Sequence, residues 1–127
     1  RIARRQRQMC IRDRNKIHES SLKSGIAINP QTPISNLKEY INKVDLICLM
    51  GVNPGFAGQK FIESTHERLQ ELKHLIISSG SSALIEVDGG VNKENYQQLK
   101  SNGADVLVAG SYIFNSPNYN IAINNLK

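Results

Sequence analysis

Cysteine is nearly absent from this chain of 127 residues, which has two, Cys10 in an arginine-rich opening and Cys48 inside an apolar run. Neither a disulfide framework nor a zinc-ligand spacing is therefore available. Cys48 reads as a small core residue rather than a nucleophile, because no turn beside it exposes the thiol. The sequence also lacks any run of roughly 18 apolar residues and any apolar stretch of a secretory signal, so no membrane partner is expected and the default location is the cytosol.

Beyond the opening residues the sequence has no net charge either. The whole chain carries +5, and residues 1 to 14 account for all of it with six arginines (Arg1, Arg4, Arg5, Arg7, Arg12, Arg14) against Asp13. The balanced remainder argues against a nucleic-acid partner, which a basic chain would otherwise suggest. Residues 1 to 14 show no apolar period of helix or strand, and we read them as a non-native leader, translated adapter or vector sequence joined to a truncated gene. A disordered tail and a basic RNA-binding arm are the alternatives. Residues 15 to 127 then form the folded domain.

What the sequence does have is glycine after apolar runs. Met50-Gly-Val-Asn-Pro-Gly-Phe-Ala-Gly-Gln-Lys-Phe61 follows one run, Asp88-Gly89-Gly90 follows Ala83-Leu-Ile-Glu-Val87, and Gly110-Ser111 follows Asp105-Val-Leu-Val-Ala109. Each such loop can present converging backbone N–H groups to a phosphate, helped by a helix that begins just beyond it, and Ser111 can add a hydroxyl donor. Any one of them could equally be a tight turn between strand and helix. Their shared position, each at the carboxyl end of a run, points to a common ligand.

The runs alternate with helical patterns. Gly25 to Asn29 reads as a short strand, and Thr32-Pro33 opens a helix through Ile34, Leu37, Tyr40 and Ile41. Asp45 to Val52 reads as a strand apolar on both faces, and a helix starting near Ser64, with Glu67 completing a capping box, buries Leu69, Leu72 and Ile76. Ser78 to Ser82 ends it. After strand 83–87, Asn92 serves as N-cap of a helix that carries Tyr96 and Leu99 and stops at Gly103. Strand 105–109 and a helix over 121–126 complete four β-α repeats. This pattern predicts an α/β fold with a parallel sheet, either open or part of a barrel.

The segments Met50-x-Val-Asn-Pro-Gly-Phe-x-Gly-Gln-x-Phe61, Val87-Asp-Gly-Gly-Val91 and Val108-Ala-Gly-Ser111 closely resemble those of ribulose-phosphate 3-epimerase, a (β/α)8 TIM-barrel family, over about residues 25 to 114. The resemblance implies the carboxyl-terminal half of the barrel, strands five to eight. It implies interconversion of D-ribulose 5-phosphate and D-xylulose 5-phosphate in the pentose phosphate pathway. Two aspartates on opposite faces of the substrate would exchange the C3 proton, and a divalent metal (zinc, iron or manganese) would stabilise the enediolate. By the same resemblance Asp88 is one acid/base and a metal ligand. Gly55, Phe56, Ala57, Gly58, Gly89, Gly90, Gly110 and Ser111 match the phosphate and substrate contacts, and Met50 lies near the enediolate. The bottom-up reading agrees, since removing a proton beside a carbonyl needs a carboxylate together with charge stabilisation. The alternative for Asp88 is a cap on the following helix. Asp45 and Asp105 sit at strand starts, on the opposite side, and read as structural.

Several features depart from the family pattern. Its early serine, its His-x-Asp pair and its further histidine are absent, and His18, His66 and His74 read as surface residues. Gly51 replaces a common threonine and Ala57 a common glycine. The alanine also occurs in allulose-6-phosphate 3-epimerases, which leaves the sugar open between a pentulose and a hexulose phosphate. The expectation is an inactive fragment of an epimerase whose remaining metal ligands lie elsewhere, with a phosphosugar substrate and a homo-oligomeric parent. Other phosphate-binding barrels and a non-catalytic phosphosugar- or RNA-binding module are the alternatives.

Overall fold

The computed structural model describes residues 12–55 and 58–127. A helix, α1, covers 12–19. Strand β1 (Gly25–Ile28), a 3-10 turn (Ile34–Leu37), β2 (Leu46–Met50), α2 (Thr65–Ser78), β3 (Leu84–Asp88), α3 (Tyr96–Ser101), β4 (Val106–Val108), α4 (Ser111–Phe114) and α5 (Tyr119–Asn124) follow. The four strands form one parallel sheet in the order β1-β2-β3-β4. This is the expected α/β arrangement of half a (β/α)8 barrel.

Register sorts the side chains into two faces. Ile28, Leu49, Val87 and Leu107 lie in one row across all four strands, with Ile26, Ile47 and Ile85 in the next row on the same face. Leu69, Leu72 and Ile76 of α2, Leu99 of α3 and Ile34 and Leu37 of the 3-10 turn bury this face. Ile47, Leu49, Ile85, Val87, Leu69, Leu72 and Leu99 are each 0 % exposed. Each such burial contributes roughly 1.5–3 kcal/mol, so this face holds the core of the described residues.

The opposite face carries Leu46 and Leu84, then Ala27, Cys48, Glu86 and Val106, then Met50, Asp88 and Val108. It is left partly bare, with Leu84 48 % and Val108 37 % exposed. Strand β2 is apolar on both faces, as the sequence reads, and the described helices cover one. Parallel sheets are otherwise buried on both faces, so this bare face marks the side that a closed barrel would enclose.

Three local expectations are corrected. The helix expected from residue 32 is a 3-10 turn followed by further turns, with bonds from Lys38 to Ser35, Tyr40 to Leu37 and Lys43 to Tyr40 spanning three residues. Ile34, Leu37 and Ile41 are buried all the same, because a spacing of three and four serves either geometry. Ser64 forms no side-chain cap on α2. Its backbone is already helical where an N-cap needs extended backbone, and the N–H groups of Thr65 and His66 donate to the carbonyls of Ile62 and Glu63 in a preceding tight turn. Residues 12 to 14, expected to be without periodic structure, belong to α1; the rest of the proposed leader, 1 to 11, lies outside the described residues.

Arg68 of α2 ties the helix to the sheet. Its guanidinium donates to the carbonyls of Thr32 at 2.7 Å and Asn29 at 3.0 Å, which fixes the loop after β1 against the start of α2. Burial lowers the pKa of this arginine.

Candidate active site

The loops after β2, β3 and β4 all leave the carboxyl ends of parallel strands, so the sheet brings them to one edge. An open cleft of about 1480 Å³ lies there. Gly55 and Gly58 of the first loop line it, as do Asp88, Gly89 and Gly90 of the second and Gly110 and Ser111 of the third. Met50 lines it as well, in register with Asp88 across the β2–β3 pair. Phe56 and Ala57 lie outside the described residues. Every described residue that the sequence assigned to the site is therefore gathered in one cleft.

The first two loops are locked together by backbone. Gly51 N–H donates to the Asp88 carbonyl at 2.7 Å, and the Gly51 carbonyl accepts from Ile62 at 2.8 Å. A side chain at Gly51 would run into the Gly89 carbonyl oxygen and stand 3.1 Å from the Phe61 ring. Gly90 has φ +71, and a Cβ there would lie 2.7 Å from Phe61 Cβ. Both positions thus need glycine for close approach, and Gly90 also for its left-handed backbone. By contrast, nothing lies within 4 Å of where a Cβ would stand at Gly55, Gly58 or Gly110. These three face open space in which a ligand has room.

Asp88 ends β3 and is half-buried. It does not cap the next helix: Asn92 Oδ1 accepts from the N–H groups of Glu94 at 2.9 Å and Asn95 at 3.1 Å, and so holds the turn that leads into α3. Asp45 and Asp105 are at the other ends of the strands, as expected, and each accepts a backbone N–H, from Ser24 at 2.7 Å and Ile85 at 2.9 Å respectively. Ser111 is the first residue of the four-residue α4, where the Gly110 carbonyl accepts from Ile113 and Phe114.

The sequence missed several supports of the site. Asn95, buried, donates from Nδ2 to the Gly90 carbonyl at 2.9 Å. In the first loop the Gln59 amide donates to the Asn53 carbonyl at 2.6 Å, and Gln31, from beyond β1, donates to Asn53 Oδ1 at 2.7 Å. The Asn-x-x-Asn spacing of residues 92 and 95 was the available signal for the Asn95 contact; Gln31 gave none. His66, expected at the surface, is 9 % exposed and lines the cleft. Its ring packs against Phe61 at a centroid distance of 5.1 Å, its Nε2 lies 3.8 Å from Glu63, and its Nδ1 is 3.3 Å from the Asn102 amide nitrogen. Phe61 lies before α2 and Asn102 after α3, so neither contact is readable from the helical period of α2. His18 and His74 are exposed as expected.

Cys48 is buried, and desolvation, assisted by a hydrogen bond to Glu86 and the charges of Glu86 and Asp88, pushes its thiol up to about 12. It is a neutral packing group, as read from the sequence. Among the described residues, no group of three or more histidine, cysteine, aspartate or glutamate side chains is placed to hold a metal ion. No helix among them is long and apolar enough to cross a membrane.

A family model described as the ribulose-phosphate 3 epimerase family matches residues 5–114. The chain belongs to this family. The match begins inside the arginine-rich opening and takes in all three glycine loops. Curated ribulose-phosphate 3-epimerases of Serratia marcescens and Escherichia coli K12 are 47 % and 44 % identical over 103 and 111 residues. These alignments cover 81 % and 87 % of this chain and 49 % of each relative. The Helicobacter pylori ribulose-phosphate 3-epimerase is 44 % identical over 111 residues, 87 % of this chain and 51 % of the relative. The chain thus spans about half the length of the curated relatives it matches. A crystal structure of 3-hexulose-6-phosphate synthase aligns with a TM-score of 0.39 and 17 % identity, over 90 % of this chain and 65 % of that one.

Proposed function

We propose that this chain is the carboxyl-terminal half of a ribulose-phosphate 3-epimerase, that its cleft receives the phosphosugar, and that alone it does not turn over. The observation that carries this reading is the convergence of Asp88 and three glycine loops at one end of the sheet in a member of this family. The Asp88 carboxylate takes the proton from C3 on one face of the sugar, and the electrons move into the adjoining carbonyl to give an enediolate. Backbone N–H groups of the glycine loops, with the Ser111 hydroxyl, hold the phosphate and so fix C3 against Asp88. Met50, across the pair from Asp88, gives the flat intermediate an apolar, polarisable neighbour.

Epimerisation returns the proton on the other face, and that requires a second acid/base opposite Asp88. The described part of the cleft offers none of the family's other motif positions. The divalent metal implied by the resemblance meets the same obstacle. Asp88 is a single carboxylate with no cluster around it, so the described residues alone do not fit a complete metal site, and no step is assigned to one. A cytosolic location accompanies this reading.

The test is exchange of the C3 proton of D-ribulose 5-phosphate with deuterated water, measured on the 127-residue chain and on a chimera joining it to the first half of the E. coli relative. We expect none from the chain and clear exchange and epimerisation from the chimera, with Asp88→Asn lowering the rate by at least about 10²-fold. Turnover by the chain alone, or an Asp88→Asn chimera as active as its parent, would overturn the proposal.

A further inference from the structure

We infer that Asn95 is a positioning residue for the second glycine loop, holding the Gly90 carbonyl and through it the Asp88-Gly89-Gly90 backbone in its cleft-facing orientation. Asn95 is 9 % exposed and both ends of its amide are engaged. Nδ2 donates to the Gly90 carbonyl at 2.9 Å, and Oδ1 accepts from the Asn92 N–H at 2.9 Å. Asn92 reciprocates, its Oδ1 accepting from the Asn95 N–H at 3.1 Å.

The reciprocal pair has the logic of a capping box, in which the fourth residue is ordinarily glutamate or glutamine. A carboxylate at 95 could accept from Asn92, so the helix start alone does not explain an amide. The amide has one further property, the N–H that reaches Gly90. The loop it holds needs such a tether. Gly89 and Gly90 have φ +107 and +71, and two successive glycines lose more conformational freedom on ordering than any other pair. Phe61 bounds Gly90 on one side, where a Cβ would stand 2.7 Å from Phe61 Cβ. Asn95 fixes its carbonyl. What the loop then binds rests on the proposed function; the tether itself does not.

Two charge-matched variants separate the roles. Asn95→Asp keeps the acceptor for Asn92 and replaces the donor to Gly90 with an oxygen facing the carbonyl. Asn92→Asp adds the same charge nearby and keeps both acceptor bonds, since Asn92 uses only Oδ1. Backbone order parameters of Gly89 and Gly90 are measured by ¹⁵N relaxation on the 127-residue chain, and inorganic phosphate is titrated into each protein.

For Asn92→Asp we expect order parameters near the rigid value of about 0.85, as in the parent, whereas Asn95→Asp falls towards about 0.6. Helix content is unchanged in both, and phosphate binds about tenfold more weakly to Asn95→Asp than to Asn92→Asp, roughly 1.4 kcal/mol. Equal order parameters in the two variants would overturn the inference. If Asn95→Asp does not fold, the parent chain decides: a through-hydrogen-bond coupling from Asn95 Nδ2 to the Gly90 carbonyl carbon supports the tether, and its absence refutes it. A parent chain that binds no phosphate counts against the proposed function, while the order parameters still judge the tether.

Discussion

Asp105 closes a two-point contact with Ile85, its N–H donating to the Ile85 carbonyl at 2.8 Å and its carboxylate accepting the Ile85 N–H at 2.9 Å. One aspartate thereby satisfies both backbone groups of its neighbour where the β3–β4 ladder begins. Asp45 does the same for Ser24 at the start of β1 and β2, with distances of 2.8 and 2.7 Å. Replacing Asp105 by alanine should leave the Ile85 N–H without its acceptor and cost about 1 kcal/mol in urea denaturation, while asparagine, which keeps an acceptor, should cost little. Equal losses for the two variants would refute this account.

The second of these contacts gives a pH dependence. The Ser24 N–H holds the Asp45 carboxyl below the usual carboxylate range, with His18 and Lys23 adding smaller contributions against desolvation. A carboxyl whose folded pKa is depressed contributes stability that is complete above the unfolded value of about 3.9 and is lost as pH falls through the folded pKa. Urea midpoints measured from pH 5 downwards should therefore fall less steeply in Asp45→Asn than in the parent. Parallel acid limbs would show that Asp45 is not responsible.

Cys48 predicts the opposite limb. Its thiol is pushed up to about 12 by burial, with Glu86 next in importance. From somewhat below roughly pH 8.5, the ordinary thiol pKa at which the unfolded group is half ionised, up to that value the folded state binds the extra proton, so stability falls as pH rises. Urea denaturation between pH 8 and 10 should show a shallower decline for Cys48→Ala than for the parent, whatever the packing loss at neutral pH. An unchanged slope would contradict the buried, neutral thiol.

At Gly51 the Gly89 carbonyl and the Phe61 ring leave no space for a side chain. Gly51→Thr should push the second loop away from the first and cost about 1–3 kcal/mol, with the largest amide shifts at Gly89 and Ile62. Shifts confined to residue 51 and its chain neighbours would mean that the two loops are not in contact.

Much of this was legible from residues in a row. Strands β2, β3 and β4 announce themselves as short apolar runs ended by glycine, and the three loops share a cleft because parallel strands must end on one side. Leu69, Leu72 and Ile76 were placed in the core by helical spacing alone. What was not legible depends on partners distant in sequence. His66 looked like a polar residue on an exposed turn until Phe61 and Asn102 closed over it, and Ser64 looked like a cap because nothing local revealed the turn at 62–65. The pattern at Ile34, Leu37 and Ile41 identified what would be buried without distinguishing a 3-10 turn from a helix. The bare face follows from the half-barrel reading, since strands that are apolar on both sides then lack whatever would close over the inner one.

The loops that line the cleft do not stand on equal footings. Two leave β2 and β3, inner strands of five residues each that pair on both sides, whereas Gly110 and Ser111 follow β4, which has three residues and, among the described residues, pairs on one. Beyond it, α5 buries only Ala122. The third loop is therefore expected to open locally at a lower free-energy cost than global unfolding, and under the proposed function a phosphate bridging all three loops selects the closed fraction. Under the proposed function, phosphate affinity is set as much by how often β4 lets go as by the donors the cleft presents.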